Sequence, residues 1–165
     1  MEAKLKQQSF ITHPGRSGAF GALMDEYARA AEDFCRVVAT FDKTRFSSEK
    51  PNNSETTRSP RAMCVHVIGG AHRYAHYIRK RLGIDFVERY ETDPARVRLS
   101  RDVRPLLAEA IKFTESTVEP LLAMSEEKVL ALTFPVRWGP TYDPAMILEH
   151  AVCHLLRHRR QLERW

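Results

Sequence analysis

The chain has 165 residues, 43% of them hydrophobic and 28% charged, with a formal net charge of +5 and a pI near 9.3. That length suits one domain, residues 1–165, with a substantial core, and the composition is that of a soluble globular protein. No apolar run approaches the length that crosses a bilayer, and residues 1–10 lack the apolar segment of a secretion signal, so the expectation is a cytoplasmic protein with no membrane partner.

A basic chain admits nucleic acid or anionic partners. Its basic residues are scattered, however, apart from Arg79-Lys80-Arg81 and Arg157-His158-Arg159-Arg160. The dipole favours such clusters at helix C-termini in any case, so nucleic acid is not the expected partner. The three cysteines, Cys35, Cys64 and Cys153, are odd in number and form no Cys-x-x-Cys, which reads as buried reduced thiols and not a disulfide framework.

Residues 1–17 read as an irregular N-terminal arm punctuated by His13-Pro14-Gly15. A first helix is expected over 18–41, where Phe20, Leu23, Tyr27, Ala30, Phe34, Val37 and Phe41 recur at steps of three and four. Residues 42–60 form a polar connector, long for a bundle turn, which frees the next helix from a simple antiparallel return. The second helix spans 61–82 and is closed by Gly83 as C-cap. With His66 at zero on its wheel, Met63, Val67, Gly70, Ala71, Tyr74, Tyr77 and Ile78 cover about 20° to 140°. His66 flanks that arc. His72 and His76 have a metal-like i, i+4 spacing but fall near about 240° and 280°, among polar residues, and are expected to face water. Gly69-Gly70 is either a close-approach point for another helix or ligand, or a tolerated weak point.

A second irregular link, 84–100, leads to a third helix beginning near Asp102, which Pro120 should kink or end. Ser125-Glu126-Glu127 can start a short extra turn. Residues 132–143 are a loop rich in proline and aromatics, whose Trp138 and Tyr142 either line a pocket or plug the bundle end. Asp143 and Pro144 then open the last helix, to Trp165, as N-cap and first helical residue. It carries His150, His154 and His158 at four-residue steps. On its wheel His158 points at the middle of the apolar arc, His154 lies inside it and His150 sits at its edge. No strand alternation, repeat or phosphate loop appears. The expected fold is all-α: a four-helix bundle with long crossover connections.

Two imidazoles buried one turn apart leave ring nitrogens that need partners, and a metal ion would supply one. His66 with the pair on the last helix could make a three-nitrogen site with an open coordination position, able to polarise a bound group. The plain alternative is core histidines hydrogen-bonded to neighbouring helices. Absences narrow the chemistry: no Glu-x-x-His for a carboxylate-bridged di-iron bundle and no His-Glu-x-x-His for a zinc protease. Haem between two histidines has no Cys-x-x-Cys-His to support it.

His66-Val67-Ile68-Gly69-Gly70-Ala71, together with Trp138-Gly139-Pro140-Thr141-Tyr142 leading to His150-x3-His154-x3-His158-Arg159-Arg160-Gln161, resembles the DinB/YfiT-like family of bacterial four-helix-bundle proteins. Arg160 stands where that family has glycine. The resemblance implies a divalent metal held by His66, His154 and His158, with His150 not a ligand, and a homodimer. It also implies a metal-dependent enzyme of thiol S-transferase or hydrolase type, acting on a small-molecule substrate with a low-molecular-weight thiol. Zinc and nickel both suit imidazole. Arg137 and Trp138 are pocket candidates, and no general base is evident. The alternative from another class is a non-catalytic metal-binding or stress-response binding protein.

Overall fold

A computed structural model describes residues 9–88 and 92–165; residues 1–8 of the expected arm and 89–91 of the second link lie outside it. Among the described residues the structure is mostly helical. Four long helices, α1 (Gly18–Val38), α3 (Pro60–Leu82), α4 (Val103–Val118) and α6 (Pro144–Glu163), are accompanied by the short helices α2 (Lys43–Ser47) and α5 (Glu126–Leu130). α1 lies against α6 and α4, and α3 lies against α4 and α6, so the four enclose one continuous cluster of buried apolar side chains. No helix of the described residues is long and apolar enough to cross a membrane.

The local signals act where their chemistry says they should. Asp143 accepts the N–H of Met146 at 2.9 Å, with Pro144 next in line needing no donor. Ser59 caps α3 in the same way through Ala62, at 3.0 Å. Gly83 ends α3 with a left-handed backbone (φ 66°), a conformation that disfavours any side chain with a Cβ. Pro120 ends the α-helical part of α4, and the chain continues as a 3-10 segment, Glu119–Ala123.

Three elements differ from expectation. α1 stops at Val38, three residues early; Phe20, Tyr27, Ala30, Phe34 and Phe41 of the expected stripe are buried, but Met24 and Val38 are inside where Leu23 and Val37 were expected, and those two are half-buried. The connector holds α2: Asp42 caps it through the N–H of Arg45, and Phe46 is fully buried as its anchor. The aromatic loop is a small hairpin. Strand β1 (Phe134–Pro135) pairs antiparallel with β2 (Thr141–Tyr142) across a turn in which Gly139 has φ 114°.

The described part of the arm is irregular but tied down. Phe10 and Ile11 are buried, and the Glu115 carboxylate of α4 accepts the N–H groups of Thr12 (2.7 Å) and His13 (2.8 Å). Burial alone would raise this carboxyl; the two backbone donors outweigh it and hold the group below the usual carboxylate range. Glu115→Ala strips both amides of their acceptor. It is expected to destabilise the fold by about 1–3 kcal/mol and to open the arm to protease, as read by urea unfolding and limited proteolysis.

Candidate metal centre

α3 and α6 are neighbours, and where they cross they bring together histidines 88 residues apart. His66 Nε2 lies 2.9 Å from His154 Nε2, and His154 Nε2 lies 3.1 Å from His158 Nε2. The three ring centroids are 4.4 to 5.0 Å apart. All three candidate ligand atoms lie within 4.8 Å of one another. His158 is buried and the other two are half-buried, the order the helical wheel of α6 predicts.

Hydrogen bonding alone cannot satisfy this arrangement. Each imidazole nitrogen has one in-plane site, either a proton or a lone pair. His154 Nε2 faces two other Nε2 atoms and can serve only one of them. A cation among the three accepts a lone pair from each. Zinc–nitrogen bonds of about 2.0–2.1 Å in a tetrahedron put ligand nitrogens about 3.3 Å apart, so the observed spacings need shifts of only a few tenths of an ångström at the two close pairs.

The electrostatics favour the same protonation state. Burial, then the neighbouring imidazoles and Arg157, push His154 down to about 2. Burial, then His66 and Arg157, outweigh the upward influence of Gln161 and push His158 down to about 4. His66 is lowered by burial and by Arg73, Arg137 and Arg157. All three rings are thus neutral at physiological pH, the form that ligates. With Nε2 of His158 on an ion, its proton sits on Nδ1, which is buried without a hydrogen-bond partner, as is Gln161 Oε1 one turn on. Gln161 is near enough to favour the protonated ring but is not in hydrogen-bond geometry. An outer-shell acceptor for that proton is what metal-bound histidines usually have.

Gly70 is a point of close approach. A Cβ there would stand 3.1 Å from His154 Cε1 and 3.5 Å from its Nδ1. In Gly70→Ala the helical gain of about 1 kcal/mol and a crowding cost of about 1–3 kcal/mol nearly offset. The melting temperature is expected to move little, while displacement of His154 weakens zinc binding about tenfold, the scale of a lost supporting contact. Titration against a competing chelator reads this directly.

His150 stands apart from the triad. Its ring stacks on Trp138 at 4.6 Å, meets Tyr74 edge-on at 5.3 Å, and places Nδ1 3.5 Å from the Tyr142 hydroxyl. Trp138 and Tyr142 therefore form an aromatic cover over the first half of α6. The hairpin is fixed to α3 by the Arg137 N–H, which donates to the Tyr77 hydroxyl at 3.1 Å.

The expectation that His72 and His76 face water is overturned. They are 8% and 4% exposed. His76 stacks on Phe86 at 4.6 Å, and both rings contact Phe113 of α4 at 5.6 Å. Arg79 reinforces the same seam, donating to Thr117 (2.7 Å) and Ser116 (2.9 Å) across the ring of Phe113. A helix's own polarity does not reveal that a neighbour and the segment after the helix wrap its polar side. Among the described residues this pair belongs to no group of three potential ligands.

Cys35 and Cys64 are buried, Cys153 is exposed, and all three are free thiols. Burial raises the thiols of Cys35 and Cys64 well above the usual range, so neither offers a thiolate. Beside His66 opens a cleft of about 530 Å³ that runs along α3. Compared with protein-family models, curated proteins and solved structures, the chain matches none.

Proposed function

We propose that the protein is a divalent-metal-binding enzyme of the DinB/YfiT-like type, a four-helix bundle with long crossover connections, acting as a thiol S-transferase or hydrolase on a small molecule. The observation that carries this reading is the convergence of three Nε2 atoms, one of which faces the other two at hydrogen-bond distance. His66, His154 and His158 would hold the ion, with zinc or nickel suited to the imidazole set. A divalent ion held there supplies Lewis acidity and lowers the pKa of a bound thiol or water toward neutrality.

The chain's own residues supply the setting. Three neutral side chains leave the full ionic charge uncompensated, which strengthens its pull on an anion or on a polarisable group. Tyr74, Trp138 and His150 shield one side of His154 from water, while the cleft at His66 leaves the other side reachable. The basic cluster on α3 is engaged within the fold: Arg79 holds α4, and Arg81 donates to the Thr133 carbonyl at 3.0 Å. This argues against a nucleic-acid partner. The reading carries with it a homodimer, a cytoplasmic location and a low-molecular-weight thiol as co-substrate.

The test is turnover of a chromogenic electrophile with several small thiols by zinc- or nickel-loaded protein. Activity that disappears on chelation and returns with metal supports the proposal. Stoichiometric metal without turnover across the thiols would favour the alternative, a non-catalytic metal-binding or stress-response protein. One observation favours that alternative: among the described residues no carboxylate is named with the neighbours that shift the three rings.

A further inference from the structure

Of the ring nitrogens in the triad, only His158 Nδ1 is buried without a hydrogen-bond partner among the described residues. His66 and His154 are half-buried, whereas His158 is 5% exposed and water does not reach its second nitrogen. A second orphan lies close by: Gln161 Oε1 is also buried and without a partner. The two residues are three apart on α6, so their side chains are neighbours on its surface. Helical side chains lean toward the N-terminus, which carries the Gln161 amide back over the turn that holds His158. The amide draws the His158 ring upward, the direction expected of an oxygen that accepts from a ring N–H. An unmet buried oxygen is destabilising, and packing alone would be better served by an apolar side chain of the same size.

We propose that Gln161 is the positioning residue of the metal centre: with an ion on Nε2 of His158, Gln161 Oε1 accepts the Nδ1–H of that ring and fixes its tautomer and aim. The proposal rests on the metal reading and deepens it. A neutral imidazole carries one proton, on one nitrogen or the other. A proton on Nε2 would take that atom out of the ligand set, and Nε2 has a competing use, since it lies 3.1 Å from His154 Nε2. An acceptor at Nδ1 holds the proton there and leaves the Nε2 lone pair for the ion. A donor in the same place would favour the tautomer that does not ligate. Amide and ring are adjacent but unpaired in this structure, so the bond closes when the ion takes Nε2.

The experiment is zinc titration against a competing chelator for wild type, Gln161→Met and Gln161→Glu. Gln161→Met keeps the chain length and loses the acceptor. It is expected to bind zinc about tenfold to a hundredfold more weakly, the scale of a lost supporting contact. Its metal-free melting temperature is expected to hold or rise, because a buried oxygen without a partner has been removed. Gln161→Glu retains an acceptor and is expected to bind zinc at least as tightly as the wild type. Nitrogen NMR of the zinc-loaded wild type is expected to show His158 protonated at Nδ1, with that proton protected from exchange and the protection lost in Gln161→Met. Unchanged zinc affinity in Gln161→Met overturns the assignment, and so does a Gln161→Glu protein as weak as Gln161→Met. If Gln161→Met also melts earlier, the NMR decides: a zinc-loaded wild type in which His158 Nδ1 carries no proton overturns the assignment, and a protected proton there supports it. Wild-type protein that takes up no zinc sinks the metal reading and this one with it, whereas zinc uptake indifferent to Gln161 sinks this one alone.

Discussion

His158→Ala is expected to lose stoichiometric zinc or nickel at concentrations that load the wild type fully. Structural zinc sites bind with about 10–16 kcal/mol shared among four ligands, which is about 3 kcal/mol for each. Removing one of three imidazoles should therefore weaken the ion on the order of a hundredfold or more. Metal analysis of the purified proteins reads the stoichiometry, and competition with a chelator reads the affinity. Thermal unfolding gives an independent measure. An ion present at about 100 times its dissociation constant adds about 2.7 kcal/mol, or about 5–10 °C for a chain of this size. That increment should appear in the wild type, vanish on chelation and be absent from His158→Ala. His76→Ala is the control. His76 is equally buried and stacked on Phe86, so its loss should lower stability without lowering metal content. Equal metal content in His158→Ala and wild type would refute the ligand assignment.

Acidification supplies the second large effect. His158 and His76 are both held down to about 4, chiefly by burial, against an ordinary value of 6.5. Unfolded, these imidazoles bind protons near pH 6.5; folded, they resist. Below pH 6.5 the unfolded chain therefore binds more protons than the native one, and stability falls as pH falls. The contribution is fully present above pH 6.5 and is lost progressively down to about pH 4. At about 1.4 kcal/mol per pH unit, and halved for solvent screening, the two histidines together account for about 3 kcal/mol in the metal-free protein. His154, lower still, continues the loss toward about 2. Urea titrations at pH 7.5, 6, 5 and 4.5 measure the slope, and a flat profile over that range would contradict the burial seen here. Zinc binds only the neutral rings, so the loaded protein should begin its decline at a lower pH than the metal-free one.

The comparison between chain and structure divides along a physical line. Whatever depends on neighbours within a few residues was legible. Asp143-Pro144 and Gly83 mark their helix ends because a cap is a contact between residues three apart or a backbone angle at one position. Likewise the placement of His154 and His158 on one buried face follows from the angular step of the helix and the apolar residues around them.

His66 is the intermediate case. Its own wheel placed it on a flank, where burial and exposure were both open; it was a possible third nitrogen beside the pair on the last helix, and the resemblance pointed to the same residue. The crossing of α3 on α6 settles the matter by setting its Nε2 2.9 Å from that of His154. The same crossing explains why position 70 is glycine, a choice that costs helix stability with no visible return in the sequence.

Sequence by itself determined a helical chain, the ends of α3 and α6, and a pair of histidines that share one face of the last helix. Tertiary structure alone decided that His66 joins that pair and that His72 and His76 lie under Phe86 and Phe113. It also decided that Arg137 is carried to the rim of the cleft by a hairpin hung on Tyr77. The physical reason is that periodicity records which face of a helix avoids water. It does not record which other element covers that face, and a metal site is made of such long-range coverings.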